Sequence, residues 1–208
     1  MRPYLKDPAE IYRQSFATVR AEARLDRFPP GLDRVAIRLI HACGMIEVAY
    51  RLAFSPAAFE AGVTALTAGA PVFCDCEMVA SGIVTGPERL VTLNAPEVRD
   101  LAARLGTTRS AAAVELWRDR IEGAIVAIGN APTALFHLLE RLDEGWPKPA
   151  LILGFPVGFV GAAESKAELA RDPRGCDFIA LRGRRGGSAI AAAAVNALAA
   201  GLPGEALQ

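Results

Sequence analysis

Apolar residues near the start of the chain recur at helical spacing: Tyr12, Phe16, Val19 and Ala23 form one stripe, the signature of a helix that buries a single face. Ser15 and Arg20 lie off that stripe and are available for other duties. Asp7-Pro8-Ala9-Glu10 reads as the start of this helix, with Asp7 as cap, Pro8 in the first turn and Glu10 at the capping-box position. The predicted helix runs to about Arg24. Phe28-Pro29-Pro30-Gly31 then breaks the chain. Asp33 is placed to cap a second helix through Val35, Ile37, Leu39 and Ile40 as far as His41-Ala42-Cys43-Gly44, where Gly44 is a candidate stop. A third helical stretch follows Ser55-Pro56.

From Pro71 onward the pattern changes to short apolar runs alternating with helical segments, which predicts βα units and a parallel sheet. The strand candidates are Val72 to Asp75, Arg89 to Leu93, Ala124 to Ile128, Ala150 to Leu153 and Phe178 to Leu181. They lack polar alternation, as strands covered on both faces do. The expected fold is α/β, a three-layer doubly wound parallel sheet with additional N-terminal helices. The 208 residues carry no internal repeat or linker, so one domain is expected. Trp146-Pro147-Lys148-Pro149 is a stiff lead into the fourth strand.

Composition narrows the partners. Apolar residues make up 52%, ample for a core, and charged residues make up 22% with a formal net charge of zero. No global basic field draws the chain to nucleic acid or anionic lipid, so a polyanionic partner needs local basic clusters. The N-terminus has no apolar signal region, and Ala189 to Ala200 is short and interrupted by Asn196. A cytoplasmic protein without a membrane partner is expected. Cys43, Cys74, Cys76 and Cys176 lack zinc-site spacing and read as reduced thiols, so no metal is expected.

In open parallel sheets ligands sit beyond the carboxyl ends of the strands. Three successive loops there are unusual: Gly129-Asn130-Ala131-Pro132-Thr133, then Gly154-Phe155-Pro156-Val157-Gly158-Phe159-Val160-Gly161, then Arg182-Gly183-Arg184-Arg185-Gly186-Gly187-Ser188. Their glycines let backbone N–H groups approach a ligand, helix N-termini offer unpaired donors, and the arginines add forked charge suited to carboxylates. An anionic ligand follows. Tight βα turns also use glycine, which is the plainer explanation for any one loop. Fingerprints of nucleotide binding are absent, and the apolar Phe155, Val157, Phe159 and Val160 suit a large, flat ring with carboxylates on its rim. Of the two histidines, His137 lies mid-helix among leucines, where packing explains it. His41, near the end of its helix, is the candidate proton donor, since the helix dipole at a terminus at Gly44 favours imidazolium.

These segments converge on one family. Ser15-Phe16 with Arg20, His41-Ala42-Cys43-Gly44-Met45, Asp75 through Met78 into Gly82-Ile83, Gly129 to Leu135, Gly154 to Gly161 with Glu164-Ser165-Lys166, and Gly183 to Ser188 resemble the precorrin-8X methylmutases over nearly the whole chain. The resemblance implies a flavodoxin-like fold, a homodimer, and conversion of precorrin-8X to hydrogenobyrinate by a [1,5]-sigmatropic methyl shift from C-11 to C-12, assisted by the histidine that aligns with His41. No cofactor or metal is implied. By chemistry, Arg20, Arg109, Lys166 and Arg184 are candidates for peripheral carboxylates, and Ser15, Asn130, Thr133 and Ser188 for hydrogen bonds. Gly158 and Phe159 are expected to form a wall against the ring. Slow product release, with transfer to the next pathway enzyme, is a further expectation.

Three other readings stand beside this one. A cobalt-precorrin-8 methylmutase performs the same shift on a metallated ring. A tetrapyrrole-binding or delivery protein would keep the loops without needing His41, so turnover by a histidine variant separates it from an enzyme. A flavin or nucleotide binder of similar fold is disfavoured by the missing phosphate fingerprints.

Overall fold

The computed structural model describes residue 2 and residues 4–84 and 86–200. Asp7 caps the first helix as its position predicts, accepting from the Ala9 amide at 2.9 Å, and α1 runs Pro8–Glu22. Glu10 does not close a capping box: Arg13 and Gln14, on the next turn, take its carboxylate, the exposed i, i+3 and i, i+4 pairing that competes for such a side chain. Phe16 and Val19 are the residues α1 buries. The second helix, α2 (Leu32–Cys43), starts from Gly31 and not from a capping Asp33. Asp33 sits inside the first turn and accepts from the Gly31 amide. Gly31 has φ +86° and faces the Phe59 ring so closely that a Cβ would stand 2.3 Å from it. At the other end Gly44, with φ 68°, stops the helix as expected.

A short helix, α3 (Val48–Arg51), leads into a strand, β1 (Leu52–Phe54), and then α4 (Ala58–Thr67). The βα succession follows: β2 (Val72–Cys74), α5 (Glu77–Gly82), β3 (Arg89–Val91), α6 (Val98–Leu105), α7 (Arg109–Val114) with a 3-10 segment Glu115–Arg120, β4 (Ile125–Ile128), α8 (Pro132–Asp143), β5 (Leu151–Gly154), α9 (Ala162–Arg171), β6 (Asp177–Leu181) and α10 (Ser188–Ala200). Each expected strand is present, within one or two residues of its predicted limits.

The sheet order is β1-β6-β5-β4-β2-β3. Strands β2 to β6 are parallel and doubly wound, with the order reversing between β2 and β4. The sheet is not wholly parallel, however: β1 pairs antiparallel with β6 and forms one edge. Its residues follow directly on a helical turn, and pairing with the open side of β6 makes them a strand.

Successive strand residues point to opposite faces. Val72, Cys74, Ile125, Ala127, Leu151 and Leu153 pack with buried residues of α1, α2, α4, α5 and α10. Phe73, Val126, Ile128 and Ile152 pack on the other face with Trp117 and with Leu135, Leu138 and Leu139 of α8. Helices on both faces give the three layers. No helix among the described residues is long and apolar enough to cross a membrane.

Candidate active site

Helix α2 buries Val35, Ala36, Leu39 and Ile40, which leaves Arg38 and His41, one turn apart, on the side that faces α1 and α10. There they line a cavity of about 300 Å³ with Tyr12 and Phe16 of α1, Gly82 and Val84, and Ala189, Ala192, Ala193 and Asn196 of α10. The floor is open because α10 offers small side chains. Gly82 approaches it so tightly that a Cβ would stand 2.7 Å from that of Ala192. Asn196 fixes this wall: its Oδ1 accepts from the Val84 amide at 3.0 Å and its Nδ2 donates to the Gly82 carbonyl at 2.9 Å.

His41 is held on several sides. Its Nδ1 lies 2.7 Å from Ser15 Oγ, and its ring centroid is 5.2 Å from those of both Tyr12 and Phe16. With Nδ1 engaged, Nε2 is the nitrogen left to serve a ligand. Burial, and secondarily the nearby Arg38 guanidinium, hold the imidazole below its ordinary pKa. Both act opposite to the helix dipole, which favours imidazolium.

The three loops gather at the carboxyl ends of the parallel strands, but the first does not offer its amides outward. Asp75, just past β2, is buried and accepts from the amides of Gly129, Asn130 and Ala131 at 2.9, 2.9 and 2.7 Å. The crevice between β2 and β4, where the strand order reverses, is therefore bridged by the protein's own carboxylate at the N-terminus of α8, a position that favours negative charge. Burial raises the Asp75 pKa, and the three amides oppose that rise. Close by, Cys76 Sγ meets Ser188 Oγ at 3.5 Å.

The second and third loops interlock. The Gly158 amide donates to the Arg184 carbonyl and the Gly187 amide to the Phe155 carbonyl. Arg184 stands over the Phe159 ring at 5.5 Å. Phe159 and Val160 are 86% and 87% exposed, while Phe155 is buried in the core. Of the expected apolar surface, Val157, Phe159 and Val160 remain available and Phe155 does not.

The arrangement is an imidazole and a guanidinium in a largely apolar cavity, and the chain's likeness to known proteins decides its kin. A family model described as precorrin-8X methylmutase matches residues 10–200. The chain belongs to the precorrin-8X methylmutase family. A protein of Pseudomonas aeruginosa named precorrin-8X methylmutase is 60% identical over 204 residues, which cover 96% of this chain and 98% of the relative. A cobalt-precorrin-8 methylmutase of Priestia megaterium is 37% identical, covering 95% of this chain and 89% of its own. The crystal structure of a precorrin-8x methyl mutase from Thermus thermophilus aligns with a TM-score of 0.82 at 39% identity, covering 91% of this chain and 94% of that one.

The chain is thus an isomerase with an α/β fold. Among the candidate residues, the structure brings His41 and Ser15 together, with Ser188 beside Ala189 at the cavity rim. Gly158, Phe159 and Arg184 form a second group through the interlocked loops. In a third, Arg109 donates to Asn94 Oδ1, Thr133 meets Thr108 Oγ1 at 2.8 Å, and Asn130 is tied to Asp75 by its amide. Arg20 is exposed on α1 outside the cavity lining.

Ser15 engages His41 through Oγ, which keeps further hydrogen-bonding capacity, and Lys166 is buried with its ammonium on the Pro156 and Arg185 carbonyls. Tyr12, Arg38 and Asn196 also line the cavity and were not among the residues singled out from the sequence as candidates for the site. Helical spacing offered a signal for two of them: Tyr12 precedes Ser15, and Arg38 precedes His41, by three residues.

Proposed function

We propose that this chain converts precorrin-8X to hydrogenobyrinate by moving a methyl group from C-11 to C-12 of the macrocycle, with His41 as the acid/base residue. The observation that carries this reading is the His41 ring, fixed through Nδ1 by Ser15 and lining a cavity whose walls are mostly aromatic and alanine side chains, with Arg38 and Asn196 as its other polar groups. The cavity is small for a whole tetrapyrrole, so one edge of the ring enters it and the rest lies over the loops. As imidazolium, His41 keeps its Nδ1–H on Ser15 and lends the Nε2 proton to a ring nitrogen. That protonation draws electron density from the conjugated path as the C-11 bond to the methyl breaks and the C-12 bond forms, and the neutral imidazole then recovers the proton. The rearrangement is an isomerisation and calls for no cofactor. Substrate carboxylates counter Arg38 and favour the imidazolium at the moment it is needed.

Arg184, Arg20 and Arg109 take peripheral carboxylates, Asn130, Thr133 and Ser188 supply hydrogen bonds, and Gly158 with Phe159 stands against the ring. A metal-free ring is favoured by the higher identity to the relative named for precorrin-8X than to the one named for the cobalt form. The chain works as one cytoplasmic domain paired as a homodimer, and hands its product to the next enzyme. His41→Ala tests the reading: it should abolish methyl migration while leaving tetrapyrrole binding nearly intact. Turnover surviving in that variant would sink the assignment.

A further inference from the structure

Lys166 lies on the second turn of α9 with no exposed surface. Its hydrogen bonds go to two backbone carbonyls, that of Pro156 at 2.8 Å and that of Arg185 at 2.5 Å. The first carbonyl belongs to the loop after β5 and the second to the loop after β6. Two backbone bonds run beside them, from Gly187 N to Phe155 O at 2.8 Å and from Gly158 N to Arg184 O at 3.1 Å. The backbones are in contact at this junction, since a Cβ on Gly186 would stand 2.2 Å from Phe155 O and 2.6 Å from Pro156 O.

A buried ammonium without a carboxylate is costly, and an apolar side chain of similar length would fill the same space more cheaply. Burial alone pushes the Lys166 pKa down to about 8. What only a cation with several donors can do here is hold two carbonyls from different loops at one point. We propose that Lys166 is a positioning residue for methyl migration, clamping residues 155–158 to residues 184–187 and thereby setting where Gly158, Phe159, Arg184 and Ser188 stand. The inference rests on the reading of those loops as the substrate rim. His41, on α2, lies outside the clamp, so a loosened clamp weakens substrate binding and spares the chemistry of bound substrate.

The test is Lys166→Met, which keeps length and apolar bulk and removes the donors. KM should rise about tenfold with kcat within about twofold of wild type, the pattern of lost binding common to ground and transition states. In ligand-free protein, amide exchange at Gly158 and Gly187 should quicken while that of the β4 and β5 amides does not. Wild-type KM together with wild-type exchange at those two amides would overturn the clamp, and so would a lost kcat at unchanged KM. Gly186→Ala reaches the same junction from the loop side and serves if Lys166→Met does not fold; an unchanged KM in that folded variant also defeats the proposal. His41→Ala, run in parallel, reports on the functional reading alone, because its result leaves the ligand-free exchange measurement untouched.

Discussion

His41 stands where two opposite influences meet. The carboxyl end of α2 favours a charged ring, but burial and Arg38 lower its pKa beneath the ordinary 6.5. If the imidazolium is the acid, it is populated at low pH and lost as pH rises through this lowered value. The kcat/KM profile, which reports the free enzyme, should therefore fall along a limb centred below 6.5. Arg38→Gln removes a nearby positive charge and should move that limb upward, though burial keeps it from returning fully. A limb that stays in place would mean that another group titrates. Ser15 enters the same balance, since its hydroxyl can donate to the neutral Nδ1 and accept from the protonated one.

At the scale of the element, helices and strands are joined at the site by buried charges of opposite sign. Asp75, at the end of β2, gathers three amides at the start of α8; Lys166, on α9, gathers carbonyls of the next two loops. Asp75→Ala should destabilise the fold by about 2–4 kcal/mol, because unsatisfied buried amides cost about 1–3 kcal/mol each and admitted water recovers part. Thermal or urea denaturation reads this directly, and an unchanged stability would show that the loop has another anchor. Gly129 lies within the same loop. A Cβ there would stand 2.8 Å from the Ser188 backbone, which explains why the N-terminus of α10 can lie so close to β4.

Across the whole molecule, charge cancels to zero, yet Arg182, Arg184 and Arg185 are exposed at one end of the sheet. There α9 and α10 also present their positive ends, whereas that of α8 is met by Asp75. Arg185 is engaged by Glu47, whereas Arg184 rests on the Phe159 ring. A polycarboxylate ligand should feel this end as locally cationic. Arg184→Ala is expected to weaken tetrapyrrole binding about tenfold, or about 1.4 kcal/mol, and wild-type affinity should fall as salt screens the contacts. Titration at two ionic strengths checks both. An affinity indifferent to salt and to Arg184 would remove the rim from the binding site.

Much of this was legible in one dimension because periodicity is a local property. The stripe through Phe16 and Val19, the stop at Gly44, and the apolar runs of β2 to β6 are written in neighbouring residues, and so is the order of their loops. The motifs around His41 and in the loops sufficed to point to the family. Pairing between distant segments was not legible. Ser15 and His41 are 26 residues apart, Lys166 and the Arg185 carbonyl 19, Asp75 and the amides it holds more than 50. A side chain's polarity says only that it needs a partner or water. Whether Lys166 reaches a ligand or two carbonyls, and whether Leu52–Phe54 is a loop or an edge strand, depends on which remote backbone the packed layers bring within about 3 Å, the range of a hydrogen bond.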